Sequence, residues 1–279
     1  MKALVAEFLT KVSSSPPMQK LLDGSLVKAA DFYRRNRMPA MEGEVAARYE
    51  AMFHELVREL TVRSGPFQGM KYPGAEAAGS ALIPKLLGSY ERELHPIIGQ
   101  LIAKGYDDVI DVGCAEGYYA IGMAMKLPGA WIHAYDTSET ARDLCSAMAK
   151  LNGVADRVSV QTTCTPETLI TFPKRGRTLV IVDCEAYEKV LFTPAVRDAL
   201  KGCDLLIEMH DFLDITISTE LEALFRSTHE LTNVLSVDDI QKAKHYPYPE
   251  LAGLPIPVRF HLLREGRPMI MEWLLAEAR

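Results

Sequence analysis

The chain has 279 residues, with 31 lysines and arginines against 37 aspartates and glutamates, a formal net charge of −6 and 48% hydrophobic residues. This length allows one large domain or two small ones, with a core that needs no disulfide or structural metal. The acidic balance excludes tight charge-driven binding to nucleic acid, and the apolar content excludes a disordered chain.

In chain order, the first apolar run, Met1 to Leu9, is interrupted by Glu7 and followed by Lys11. It reads as an amphipathic helix rather than a signal peptide. Residues 1–64 read as helical. Between Gly43 and Arg63, Val45, Tyr49, Met52, Phe53, Leu56, Val57 and Leu60 recur at three- and four-residue steps. Such a stripe needs a partner surface, either the main domain or a second copy in a homodimer. Gly65-Pro66, Gly69, Pro73-Gly74, Gly79, Pro84 and Gly88 then mark a connector. Its stretch from Pro66 to Pro73 reads as either a lid or a linker packed on the sheet. A helix is expected over 89–104.

After Gly105, short apolar strands alternate with helices. The expected strands are Asp108–Val112, Trp131–Tyr135, Val158–Gln161, Leu179–Val182, Leu205–Glu208, Thr232–Ser236 and Arg259–Leu263. Helices are expected near 118–125, 139–151, 195–200 and 217–227. Near-continuous apolar strands separated by helices predict a sheet covered on both faces. The fold class is therefore α/β: a doubly wound, Rossmann-like, mostly parallel seven-stranded sheet over 89–279, preceded by an N-terminal helical region and connector over 1–88. Tyr246-Pro247-Tyr248-Pro249, between the last two expected strands, reads equally as a pocket wall or a rigid connector. The five cysteines, Cys114, Cys145, Cys164, Cys184 and Cys203, form no C-x-x-C pair. They read as reduced thiols in a cytoplasmic protein. No apolar stretch reaches the ~18 residues of a membrane span.

The densest chemical signal runs from Val109 to Ala120. A buried strand carries Asp111 near its end, then turns through Gly113 and Gly117 into a helix. Ligands of open α/β sheets bind at such strand ends. Ala115 stands where a dinucleotide fingerprint has its second glycine. The second strand leads into Asp136, placed to accept hydrogen bonds from ribose hydroxyls. Asp111 at the loop entrance would repel a pyrophosphate and attract an amino group. The pair favours a cationic nucleoside over a dinucleotide; the plainer alternative is that both acids cap helices.

The stretch Asp111-Val112-Gly113-Cys114-Ala115-Glu116-Gly117 resembles the first motif of class I S-adenosylmethionine-dependent methyltransferases. Asp136 matches their ribose-binding acid, and Asn152-Gly153-Val154 is also similar to the family pattern. The resemblance covers residues 90–279. It implies S-adenosylmethionine as cofactor, held by Asp111, Gly113, Ala115, Glu116, Gly117, Asp136 and Asp183. More narrowly, Asp183-Cys184-Glu185-Ala186-Tyr187-Glu188 resembles the D-x-E-G-x-E motif of FkbM-type methyltransferases, with Ala186 in the glycine position. Leu206-Ile207-Glu208-Met209-His210 is similar to their following strand, and Leu87-Gly88-Ser89-Tyr90-Glu91 to a segment upstream of the cofactor motif in related proteins. That resemblance implies O-methylation of a sugar, glycan or secondary-metabolite hydroxyl. The partners it implies are a small-molecule or glycan acceptor, with no nucleic acid and no membrane.

Asp183 ends the fourth expected strand, and Glu208, His210 and Asp211 end the fifth. His210 reads as the general base, since an unperturbed imidazole titrates near ~6.5. Alternatively, Asp183 and Asp211 with Glu208 or His210 hold a divalent cation such as Mg2+, an arrangement resembling macrocin-type sugar O-methyltransferases. Glu185 and Glu188 also fit the acids that favour a helix N-terminus. Two other functions remain open. One is a non-catalytic methyltransferase-like binding subunit; the other, a nicotinamide-dependent oxidoreductase, is disfavoured by Ala115 and Asp111.

Overall fold

A computed structural model describes residues 38–75, 77–78 and 81–279. The helix expected at Met1–Leu9 lies outside these residues. Contacts divide the chain into two compact units, 1–51 and 52–279. The second of these units begins at Met52. Of the first unit, the described part lies in the first helix, α1 (Met38–Glu59). Val45 and Tyr49 are its more sheltered positions among exposed neighbours. Leu56, in the second unit, is buried.

The second unit continues with α2 (Leu82–Leu87), α3 (His95–Lys104), β1 (Asp108–Val112), α4 (Tyr118–Lys126), β2 (Trp131–Tyr135), α5 (Glu139–Leu151) and β3 (Val158–Gln161). Then come α6 (Pro166–Thr171), β4 (Thr178–Val182), α7 (Glu188–Leu191), α8 (Pro194–Ala199), β5 (Asp204–Met209), α9 (Ile217–Phe225) and β6 (His229–Leu235). The chain ends in α10 (Asp239–His245), α11 (Ile256–Leu263) and β7 (Glu272–Ala278). The seven strands lie in the order β3-β2-β1-β4-β5-β7-β6. The first five are parallel, and β7 runs antiparallel between β5 and β6. Strands β1, β4 and β5 sit mid-sheet and are buried along their whole length, which is why their central residues are mostly apolar. This is the expected Rossmann-like α/β fold.

Some elements differ from the sequence reading. The expected strand Arg259–Leu263 lies inside α11, which Pro257 opens in its first turn; a proline there costs no helical hydrogen bond. The final strand is Glu272–Ala278, with Trp273 fully buried. The helix expected over 89–104 begins only at His95, because Glu91 adopts a left-handed φ of +46 and a 3-10 turn, Arg92–Leu94, intervenes.

The connector is packed rather than free. Phe67 and Met70 are buried, each contributing about 1.5–3 kcal/mol, and Phe67 stands edge-on to Tyr118 and Tyr119. Asn152 clamps the Lys71 backbone, accepting from its N–H and donating to its carbonyl, both at 2.8 Å. The Tyr246–Pro249 segment is likewise a connector: Tyr248 donates to the Gly88 carbonyl at 2.9 Å, and Arg92 lies over both tyrosine rings. Among the described residues, no helix is long and apolar enough to cross a membrane. The five cysteines are free thiols.

Candidate active site

In-register parallel pairing brings Val112, Tyr135 and Val182 level, so the residues after them meet at one sheet edge. There they open on a cleft of about 590 Å³, bounded on its far side by residues 265–268 and Met271, just before β7.

At the β1 end, Gly113 adopts φ +83, and a Cβ there would collide with the Asp183 carbonyl. The loops after β1 and β4 therefore touch backbone to backbone, and no side chain fits between them. Ala115 also has a positive φ, +48, a region that disfavours any residue but glycine. Its N–H donates to Asp136 Oδ2 at 2.9 Å, while Asp136 Oδ1 accepts from the Ser138 N–H at 2.8 Å. Asp136 thus ties the loop to the start of α5. Each carboxylate oxygen keeps a further lone pair for a ribose hydroxyl.

Asp111 is 2% exposed, and its Oδ2 has no hydrogen-bond partner. Burial, reinforced by the Asp183 carboxylate, pushes its pKa up to about 8. An uncompensated carboxylate on a cleft wall suits a cationic amino group and repels a phosphate. The residues present therefore fit the amino and ribose groups of S-adenosylmethionine.

Glu116 and Gly117, expected to touch the cofactor, do not line the cleft. The Glu116 carboxylate is buried and takes the Lys85 ammonium, the Tyr72 hydroxyl at 3.3 Å and the Ala78 N–H at 3.1 Å. Gly117 has φ +100 where α4 begins, and a Cβ would press on Cys145 Sγ at 2.9 Å. Both residues build the loop from behind.

At the β4 and β5 ends, His210 is 2% exposed and ringed by acids. Its Nδ1 lies 2.9 Å from Glu188 Oε1; its Nε2 faces Asp183 at 3.4 Å and Glu185 and Glu208 at 3.7 Å each. Burial pulls the imidazole pKa down, but the hydrogen bonds to Asp183 and Glu188 outweigh it and lift it to about 10. A ring that carries its proton between two carboxylates donates to both rather than standing as a free base. Burial works to raise Asp183, yet hydrogen bonds from His210 and Glu208 hold it below the usual carboxylate range. Its side chain is 32% exposed, which leaves an ionised carboxylate facing the cleft.

The expected metal set changes as well. Glu208 is taken by the Arg267 guanidinium, and burial followed by the Asp183 charge raises its pKa well above normal. Asp211 does not line the cleft; its Oδ1 accepts from the Ser218 N–H at 2.9 Å. Among the described residues, Asp183, Glu185 and His210 bring donor atoms within 4.8 Å of one another.

Arg267 also pairs with Glu91 and Glu265, and the Tyr119 hydroxyl donates to Glu91. The left-handed turn at Glu91 thus anchors the arginine that closes the cleft. Arg267 and Lys85 both line the cleft. They were not foreseen, because each comes from a segment remote from the strand-end motifs.

No family model matches the chain. A stretch of 73 residues is 36% identical to a release factor glutamine methyltransferase of Chlorobaculum tepidum, covering 24% of this chain. The chain thus spans 25% of the length of the curated relative it matches. Among solved structures, it is similar to the O-methyltransferase from Bacillus cereus in complex with SAH, at 15% identity and TM-score 0.45, covering 64% of this chain and 77% of that one. It is also similar to cofactor-bound Rv0187 from MTB, at 12% identity and TM-score 0.48, over 91% and 97% of the two chains. A third similar structure is the SAM-dependent methyltransferase from Geobacter sulfurreducens with S-adenosyl-L-homocysteine, at 16% identity and TM-score 0.41, over 67% and 91%.

Proposed function

We propose that the protein is an S-adenosylmethionine-dependent methyltransferase acting on a hydroxyl of a sugar, glycan or secondary metabolite. The observation that carries the reading is the unpartnered, buried Oδ2 of Asp111, one strand from Asp136. Asp111 holds the amino group of the cofactor, Asp136 its ribose, and Gly113 and Ala115 let the loop approach it closely. The bound cofactor supplies an electrophilic methyl group.

Asp183 orients the acceptor: its ionised carboxylate accepts the hydrogen bond of the acceptor hydroxyl. Holding the hydroxyl in line with the methyl group lowers the barrier, and the hydroxyl proton would pass to Asp183 and on to solvent as the methyl is transferred and S-adenosylhomocysteine leaves. Arg267 and the aromatic residues Tyr90, Tyr187 and Phe212, which also line the cleft, exclude water around the acceptor. The FkbM-type assignment rests on Asp183, Glu185 and Glu188 at motif spacing, with His210 after the next strand.

Calorimetry with S-adenosylhomocysteine and with NADH tests the cofactor. Binding of NADH but not of S-adenosylhomocysteine would overturn the reading. Transfer of labelled methyl from S-adenosylmethionine to a panel of hydroxylated acceptors then separates an enzyme from a binding subunit.

A further inference from the structure

The acceptor end of the cleft opens through an apolar collar. Phe212, after β5, and Pro268, before β7, both line the cleft. Close to them in the chain, Leu213, Ile215, Met269 and Ile270 are each more than half exposed. Met209 of β5 and Leu235 of β6 both face Glu272 of β7. The two segments therefore leave the sheet at one place, with the exposed Leu235 at the same edge. Lys189 donates to Asp214, Thr216 and Glu220 at 2.8–2.9 Å, which ties α7, with its exposed Val190, to the loop that carries Leu213 and Ile215. Six large apolar side chains from four segments thus gather at one sheet edge, whereas the exposed Trp131 starts β2 at the opposite one. A cluster of this kind marks a binding surface.

A hydroxyl that reaches Asp183 enters past this collar, so the rest of its molecule lies on it. Charge narrows what that molecule is. Glu185, Asp211 and Glu272 belong to the same segments. The cations beside them are taken up, Lys189 by Asp214 and Glu220, and Arg267 by Glu91, Glu208 and Glu265. An anionic lipid surface is repelled by such a rim. A second copy docked about a two-fold axis would set these acids against their own images. An uncharged aliphatic chain covers the apolar groups and leaves the acids in water. We infer that the acceptor is amphipathic: a hydroxylated head that enters the cleft, joined to a long aliphatic chain that lies across Leu213, Ile215, Met269 and Ile270. The head's role as methyl acceptor rests on the methyltransferase reading; the seat for the chain rests on the exposed side chains.

The probes are n-alkyl β-D-glucosides with hexyl, octyl and decyl chains, each below its micelle concentration. They are titrated calorimetrically into the full chain, with and without S-adenosylhomocysteine. Binding is expected to tighten by about two- to fourfold per added methylene. Ile215→Ser and Ile270→Ser, whose side chains are exposed and leave the fold intact, should each flatten that dependence. Leu151→Ser, equally exposed at the end of α5, should keep it. Binding that ignores chain length, or a dependence unchanged in both collar variants, overturns the inference. A dimer in sedimentation velocity that dissociates in Ile215→Ser also overturns it, because a second copy then covers the collar. Titration of S-adenosylhomocysteine alone separates the two claims. Cofactor bound without any chain-length dependence removes the amphipathic acceptor and leaves the methyltransferase reading. Chain-dependent glucoside binding in a protein that takes no S-adenosylhomocysteine keeps the amphipathic ligand and removes that reading.

Discussion

The Lys85 ammonium and the Glu116 carboxylate meet inside the protein, with 3% and 1% of their side chains exposed. Lys85 also lies 4.8 Å from the centre of the Tyr90 ring. The pair fastens the loop after β1 to α2, with Lys85 on the cleft wall and the Glu116 carboxylate behind it. Removing one partner of such a pair strands the other charge, at a cost of about 3–5 kcal/mol. Glu116→Ala should therefore lower the urea midpoint sharply while the folded fraction binds S-adenosylhomocysteine with an unchanged dissociation constant. A large loss of affinity at full stability would return Glu116 to the cofactor site.

Asp136 has two tasks, holding the loop through Ala115 and taking the ribose. Asp136→Ala should weaken S-adenosylhomocysteine binding by about 1.5–3 kcal/mol, as expected for lost hydrogen bonds to a charged acceptor. Calorimetry that shows the same affinity for variant and parent would contradict the assignment.

Asp111 makes the protein sensitive to pH. Its folded pKa, about 8, lies above the ordinary aspartate value near ~3.9. The stability it contributes is therefore fully present below the unfolded value and is lost as pH rises through about 8. Cofactor affinity moves the other way, because the amino group needs the ionised carboxylate. Between about pH 6 and 8, affinity for S-adenosylhomocysteine should rise by up to roughly tenfold per pH unit. Asp111→Asn should flatten that rise; a slope that persists in the variant would place the titrating group elsewhere.

The two left-handed residues after β4, Glu185 at φ +53 and Ala186 at φ +71, hold the loop in a conformation that disfavours alanine. Ala186→Gly removes about 1–2 kcal/mol of backbone strain and gives back roughly 0.4–1 kcal/mol through the freer unfolded chain. A net gain of about 0.5–1 kcal/mol is expected in thermal unfolding. A destabilised variant would mean that the Ala186 methyl packs more usefully than its backbone is strained.

The sheet was legible where burial and sequence agree. Val109-Ile110 and Leu205–Ile207 are apolar because helices cover both faces, and that pattern needs no knowledge of partners. The last strand was not legible. Glu272-Trp273-Leu274-Leu275-Ala276-Glu277-Ala278 is rich in residues that favour helices, and its extended form follows from pairing with β5 and β6 on either side. Pro255, Pro257 and the apolar run to Leu263 misled in the opposite direction. At the site, Asp111, Asp136 and Asp183 could be found from strand ends alone. The charge state of His210 could not, since it depends on Glu188 folding back against it beside Asp183, and Arg267 arrives from beyond α11.

The depth of β7 within the sheet also has an optical consequence. The chain has two tryptophans: Trp131, 42% exposed at the start of β2, and Trp273, fully enclosed beside Tyr119. Their emission should separate into a water-relaxed band and a blue-shifted band. With Trp131 changed to phenylalanine, the remaining indole sits on the strand that follows the Arg267 segment. Its wavelength then reports whether β7 is seated between its neighbours, with no label attached to the cleft.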